Sequence, residues 1–420
     1  MDTDVFILDP QFKSKLVIDE YKSLIWTERY NQYGDFEIHI PVESSSASKD
    51  LLQFNSQTKK NIWSGYYASI QGSNRLMILE QFRLTYDSDE GSILIITGRS
   101  LESILMRRII WKRKILSGSL QAGIRQLLED CFINPAKQER QVNNFSFVAS
   151  EDPNILNLTL DRQFTGDNLY DVIVEICEKN QLGFQIYQSD GQFKFSLYFG
   201  TDRSFDQDTE EVVAFSKEME NLISSEYLES DAFLKNVTLI GGEGEGDDRV
   251  YTEIGSASGL DRREIFTDAR DLSSDSAEYI LLTTAPRDWP TAWGTYYSNS
   301  GTQENPVYEL LQDNHESMPT FTVNTFYKKE TMSSEEYLQE LTKRGEKTLS
   351  ENKAVNAFHG EIDPFSLYVY GRDFFIGDVV EMADEFGHSS KARVVEIIRS
   401  VDSSGLSFYP TFSLIEEDNE

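Results

Sequence analysis

Hydrophobic side chains recur at every second position towards both ends of this chain and at helical spacing in its middle, so its ends read as sheet and its centre as a region carrying helices. Phe36, Ile38 and Ile40 alternate with Glu37 and His39, and Phe82, Leu84 and Tyr86 alternate with Arg83 and Thr85. Gly, Asn and Asp within 31–34 and 87–91 supply turns, and 93–96 is an apolar run suited to a strand buried on both faces. The C-terminal segment repeats the pattern, with strands over 367–370, 379–382 and 394–398 divided by Gly371, Gly377, Gly387 and Gly405.

In the centre, Leu120, Ile124, Leu127, Leu128 and Cys131 form one helix face. A second helix is capped by Asp167 or Asn168, carries Leu169, Val172, Ile173, Ile176 and Cys177 on one stripe, and ends within 180–183. Phe193, Phe195 and Leu197 follow as a strand. Ser333 and Glu336 have capping-box spacing and open a charged helix to about residue 352, with Leu338, Leu341 and Leu349 as a narrow apolar stripe. Residues 250–330 are polar, dotted with aromatics and without a clear period.

Charge restricts the function. With 39 Lys and Arg against 71 Asp and Glu the chain carries −32, whereas binding through phosphate neutralisation needs a basic surface. The imbalance is uneven: 8 bases and 4 acids in 101–150, 7 bases and 23 acids in 151–260. Two cysteines are too few for a disulfide framework; both lie on apolar stripes with no His or clustered base evident beside them, and read as reduced, buried hydrophobes. The N-terminus has no basic segment followed by a long apolar one, and no run of eighteen apolar residues occurs, so a cytosol-like compartment and no membrane insertion are expected.

No arrangement of residues stands out as catalytic. His39, His315, His359 and His388 are isolated from metal-ligand spacings, and no cofactor is expected. Gly241, Gly242, Gly244 and Gly246 follow a strand, as a phosphate loop does, but Glu243, Glu245, Asp247 and Asp248 would repel phosphate, which favours a hairpin loop. Asp206, Asp208 and Glu210 lack the spacing of a calcium loop. The run Arg107, Arg108, Trp111, Lys112, Arg113, Lys114 has two readings: an interface meeting an acidic surface of a neighbouring copy or domain, or a solvated strand edge with Trp111 in the core. Trp289, Trp293, Tyr296 and Tyr297 are candidates for stacking on sugars, or for a core or subunit interface. These features suit an acidic, β-rich structural protein better than a cell-wall hydrolase or a carbohydrate-binding module.

The opening stretch from Tyr21 through Trp26, Tyr30, Asn31, Gly34, Asp35 and Phe36 to Pro41 resembles the Gp37-like family of tail proteins from long-tailed phages. The likeness continues through Thr97-Gly98-Arg99, Leu105, Arg107-Arg108, Gly166 to Leu169, Tyr198 to Arg203, Val213 to Ser216, Asn221-Leu222, the 241–246 loop with Arg249, and Tyr370 to Val380. The resemblance implies a β-rich α+β fold: two barrel-like domains related to phage baseplate hubs, with two inserted α+β domains. The expected division is a first barrel over 1–105, an α+β insertion over 106–220, a second barrel from 221–255 and 353–420, and an inserted domain over 256–352 ending in the charged helix.

The resemblance further implies a tail-tip protein of the virion, assembled in the host cytoplasm. Three subunits would make a ring docked on the hexameric distal tail protein, holding the end of the tape-measure protein, with receptor-binding proteins as further neighbours. The ring would close the tail tube until ejection, and viral DNA would pass without specific binding past a negative wall. No attached lytic activity is expected.

Overall fold

A computed structural model describes residues 3–88, 91–112, 114–270, 272, 274, 278–282, 295–299, 308–313, 326–330, 333–362, 367–383 and 389–415. The N-terminal segment supplies β1 (Val5–Leu8), β2 (Ser14–Ile18), β3 (Ser23–Arg29), β4 (Asp35–Pro41), a short helix α1 (Ser46–Leu51), β5 (Tyr67–Ile70), β6 (Met77–Asp87) and β7 (Gly91–Ser100). Alternation does its work in β4, where Phe36, Ile38 and Ile40 are buried and Glu37 and His39 are not. In β6 it does so only in part, because Leu84 and Tyr86 lie on the outer half of the strand, which is exposed among the described residues. The strands run antiparallel in the order β3-β4-β7-β6-β5-β1-β2. Ile18 on β2 and Leu24 on β3, at opposite ends of that path, share one core with Val5, Trp26, Ile38 and Leu94, so the sheet curls into a barrel-like form.

The next segment contains β8 (Lys114–Ser119), α2 (Leu120–Leu128), β9 (Phe145–Val148), α3 (Pro153–Leu156), β10 (Thr159–Phe164), α4 (Leu169–Lys179), β11 (Gly183–Ser189) and β12 (Gln192–Tyr198). The apolar stripes of α2 and α4 are buried together with Phe184 and Phe195, and both cysteines lie among them. Of the two expected caps for α4, Asn168 is used: its Oδ1 accepts the Tyr170 N–H at 2.9 Å. After β13 (Ala214–Ser216) and β14 (Leu222–Ser230) the chain leaves for the second unit.

The chain divides into two compact units, Met1–Leu228 with Asn356–Glu420, and Glu229–Val355. The second unit holds β15 (Val237–Gly241), β16 (Tyr251–Ile254), β17 (Glu264–Asp268), a four-stranded sheet of β18 (Glu278–Leu282), β19 (Thr295–Asn299), β20 (Tyr308–Asp313) and β21 (Phe326–Glu330), and helix α5 (Ser334–Ser350). Residues 229–255 lie in this second unit. The reason is pairing: β15 bonds to β16 and β17, and its buried Ile240 packs with Tyr337 and Leu341 of α5. The capping box of α5 forms as read, Ser333 Oγ accepting the Glu336 N–H at 3.2 Å and Glu336 Oε2 accepting the Ser333 N–H at 2.7 Å.

Returning to the first unit, β22 (Val355–Ile362), β23 (Val379–Ala383), β24 (Ser389–Asp402) and β25 (Gly405–Leu414) enclose a separate core with Phe215, Phe374 and Phe412. This C-terminal sheet joins the N-terminal one through antiparallel pairing of β24 with β3, Trp26 opposite Arg399, giving a single thirteen-stranded sheet. The fold is β-rich α+β.

Candidate functional site

Stretches far apart in sequence meet where the three cores of the first unit adjoin. Arg75, from the turn before β6, is buried and forms an ion pair with Glu102, which is fully buried on the 3₁₀ turn Leu101–Arg107. Glu102 Oε1 also accepts the Ile186 N–H at 2.8 Å, and its Oε2 accepts the Ser100 hydroxyl at 2.5 Å. Arg75 Nη2 donates to the Tyr198 hydroxyl at 3.3 Å. Burial opposes the Arg75 charge, yet Glu102 holds the guanidinium above its ordinary pKa. Burial also raises the phenols of Tyr198 and Tyr370, and brings Tyr30 to about 12.

Glycines let the backbone close around this node. A Cβ on Gly183 or on Gly377 would lie 2.4 Å from the Tyr30 ring, and one on Gly200 would lie 1.8 Å from the Gly377 carbonyl oxygen. Beside them Asp378 accepts the Thr201 N–H at 2.8 Å, Arg203 Nε at 2.9 Å and the Phe375 N–H at 3.0 Å. The Tyr370 hydroxyl donates to Glu28 Oε2 at 2.9 Å. The stretches 28–34, 97–102, 198–203 and 370–378, which carry much of the sequence resemblance, are thus one joint. Its carboxylates accept from donors within and across these segments, an arrangement that fixes geometry.

The basic run lies on a different surface of the first unit. Trp111 is half exposed, not in the core, and borders a cavity of about 200 Å³ lined by Lys112, Lys114, Lys137, Arg140, Cys131 and neighbours. Lys137 Nζ lies 4.5 Å and the Arg140 guanidinium 4.6 Å from the Trp111 ring centre, contacts that use the negative face of the indole. Arg140 Nη2 donates to the Ile109 carbonyl at 2.8 Å. Arg108 donates to the carbonyls of Cys131 and Arg140 at 3.2 and 3.1 Å, and burial followed by the charge of Arg140 holds its guanidinium below its ordinary pKa. Arg107 reaches Glu80 at 3.9 Å, Lys114 pairs with Asp130, and Arg113 lies outside the described residues.

Sequence reasoning missed Lys137 and Arg140, which return to Trp111 through the turn after α2, and it missed the basic neighbour of Cys131, whose Sγ lies 3.7 Å from Arg140 Nη2. Burial nonetheless pushes the thiol up, against the arginine, which disfavours the thiolate.

The glycine-rich loop after β15 is held from beneath by Arg249, which donates to the carbonyls of Gly241 and Gly242 at 2.8 and 3.1 Å and pairs with Asp268 at 2.7 Å. Asp206 pairs with Lys391 and Glu210 with Arg203, so they do not converge with Asp208 on one point. Among the described residues no group of three His, Cys, Asp or Glu is placed to hold a metal, and no helix is long and apolar enough to cross a membrane. His39 meets Glu37 at 2.7 Å. Trp289, Trp293, His315 and His388 lie outside the described residues; Tyr296 and Tyr297 fall on β19 and His359 on β22.

The family model described as Siphovirus ReqiPepy6 Gp37-like protein matches residues 4–412. The chain belongs to this family. Two solved structures share the fold of this Gp37-like chain. The 43 kDa tail protein of prophage MuSo2 from Shewanella oneidensis aligns over 99% of this chain and 98% of its own, with 10% identity and a TM-score of 0.52. A tail protein from Neisseria meningitidis MC58 aligns over 100% and 97%, with 11% identity and a TM-score of 0.50. No curated protein matches the sequence. Family and fold agree on a structural, tail-type phage protein, as the sequence motifs implied.

Proposed function

We propose that this Gp37-like chain is the tail-tip hub of a long-tailed phage, a homotrimeric ring that closes the tail tube and opens for DNA ejection. The carrying observation is that the motifs shared with the family meet in the joint around Arg75, Glu102, Tyr30 and Asp378, which binds the two sheet cores and the α+β insertion of the first unit into one body. A hub bearing load along a tail needs such a fixed body, and the joint has a structural rather than a catalytic form. Docking on a hexameric distal tail protein suits a trimer whose subunit presents two β cores, since three such subunits offer six of them to a sixfold partner. The excess of acids keeps passing DNA from adhering to the ring wall. The end of the tape-measure protein and the receptor-binding proteins are its further neighbours in this reading.

Light scattering on the purified chain tests it. The expected species has a mass of about 145 kDa alone, three times 48.2 kDa, or, on addition of the distal tail protein, a complex containing three copies of this chain. A chain that stays monomeric in both conditions overturns the ring.

A further inference from the structure

The cavity beside Trp111 is lined by Lys112, Lys114, Lys137 and Arg140 against one carboxylate, Asp130, which pairs with Lys114. Among the described residues, the partners of Arg108, Lys137 and Arg140 are carbonyl oxygens, a thiol and aromatic rings rather than carboxylates. In a chain with a surplus of 32 negative charges this is an unusual gap. The opening, at about 200 Å³, admits about six or seven water-sized groups, the bulk of an acidic side chain, and is too small to cradle a run of nucleic-acid backbone.

The same unit carries a complementary feature. Residues 204–211 form a surface loop in which Phe205 is 61% exposed. The loop is shaped by its own bonds: Asp202 Oδ1 accepts the Ser204 N–H at 2.9 Å, and Gln207 Oε1 accepts the Glu210 N–H at 2.7 Å. Asp206 and Glu210 turn back to Lys391 and Arg203, while among the described residues Asp208 and Glu211 have no ion pair. The loop presents two spare carboxylates and an exposed phenyl ring, where the cavity presents spare cations and a half-exposed indole.

We infer that the 204–211 loop of one copy packs over the mouth of the Trp111 cavity of the next, one acidic side chain entering it, so that Asp208 and Glu211 meet Lys137 and Arg140 and Phe205 lies against Trp111. The inference rests on the ring reading and names the contact that would build it. Loop and cavity are different patches, so the contact is heterologous, the kind that repeats around a ring. A loop already shaped by Gln207 loses little freedom on docking. Repulsion between the two net charges is screened beyond about 8 Å at physiological salt, so the local complement decides.

Charge reversal tests this on the full chain, with and without the distal tail protein. Lys137→Glu with Arg140→Glu reverses the cavity. Asp208→Lys with Glu211→Lys reverses the loop, and because those side chains are exposed that variant keeps its fold by circular dichroism. Each reversal is expected to weaken self-association by about a hundredfold and to flatten its salt dependence. Combining all four changes is expected to restore association, whereas the two variants mixed cannot alternate around a ring of three and are expected to recover pairwise contact without a closed trimer. A wild-type trimer that survives the loop reversal overturns the contact and leaves the ring standing. A wild-type chain monomeric in both conditions overturns both.

Discussion

Arg75 and Glu102 illustrate how much of this molecule depends on charges withdrawn from water. Each is tolerable only because the other, and the fixed donors around them, replace the lost solvent. Glu102→Ala strands the guanidinium, and denaturant unfolding is expected to show a loss of about 3–5 kcal/mol. Replacing both, Arg75→Met with Glu102→Leu, is expected to cost less than the single change, because no unpaired charge remains. The sequence displays Glu102 within a stretch resembling the family, but nothing in the spacing identifies Arg75 as its partner. A pairing across a fold leaves no period to read. The same limit hid Lys137 and Arg140: the run from Arg107 to Lys114 was visible because its members are neighbours in the chain, whereas the cations that complete the cavity arrive by way of a turn.

Elements were the most readable level, since a helix states its ends and its buried face locally. Asn168 and Ser333 both cap as their positions suggest. Ser333→Ala is expected to lower the stability of α5 by about 1 kcal/mol, read from hydrogen exchange along 334–350. The face of α5 was less legible. It buries Tyr337, Leu341 and Gly345 and leaves Leu338 at 40% exposure, because the Tyr337 hydroxyl bridges the Glu243 N–H and the Leu272 carbonyl while its ring packs against Ile240. A count of leucines cannot anticipate a tyrosine chosen for both ends of its side chain. In the adjoining sheet, Arg270 first, with Arg249, holds Asp268 down to about 2, although partial burial works the other way. A carboxyl depressed on folding adds stability above its unfolded value near 3.8, and that stability disappears as pH falls through the folded value. Protection of β15 and β17 amides is therefore expected to fall between pH 4 and pH 2, and Asp268→Asn to remove that dependence.

For the whole molecule, β periodicity at both ends announced sheet in both places but could not say that the two sheets are one. Alternation gives the face of a strand, never its partner. The same holds for Val237–Gly241, which reads as a strand wherever it pairs. The overall class, the acidic balance and the family were legible because each is a property summed over many residues. The trimer mass, the charge-reversal series and the cost of Glu102→Ala belong to separate levels, so one can fail without the others.

The pairing of β3 with β24 places Trp26 opposite Arg399, and this bears on how the protein is made. A ribosome adding about 5–20 residues per second needs roughly 20–75 s to pass from one to the other. Throughout that interval β3 has an open edge, while the helical insertion, with its more local contacts, can already have formed its core. Completion of the large sheet waits until β24 and β25 have emerged from the ribosome. A surface built from that sheet consequently cannot recruit a neighbour before those strands have emerged, which sets assembly late in the making of each subunit.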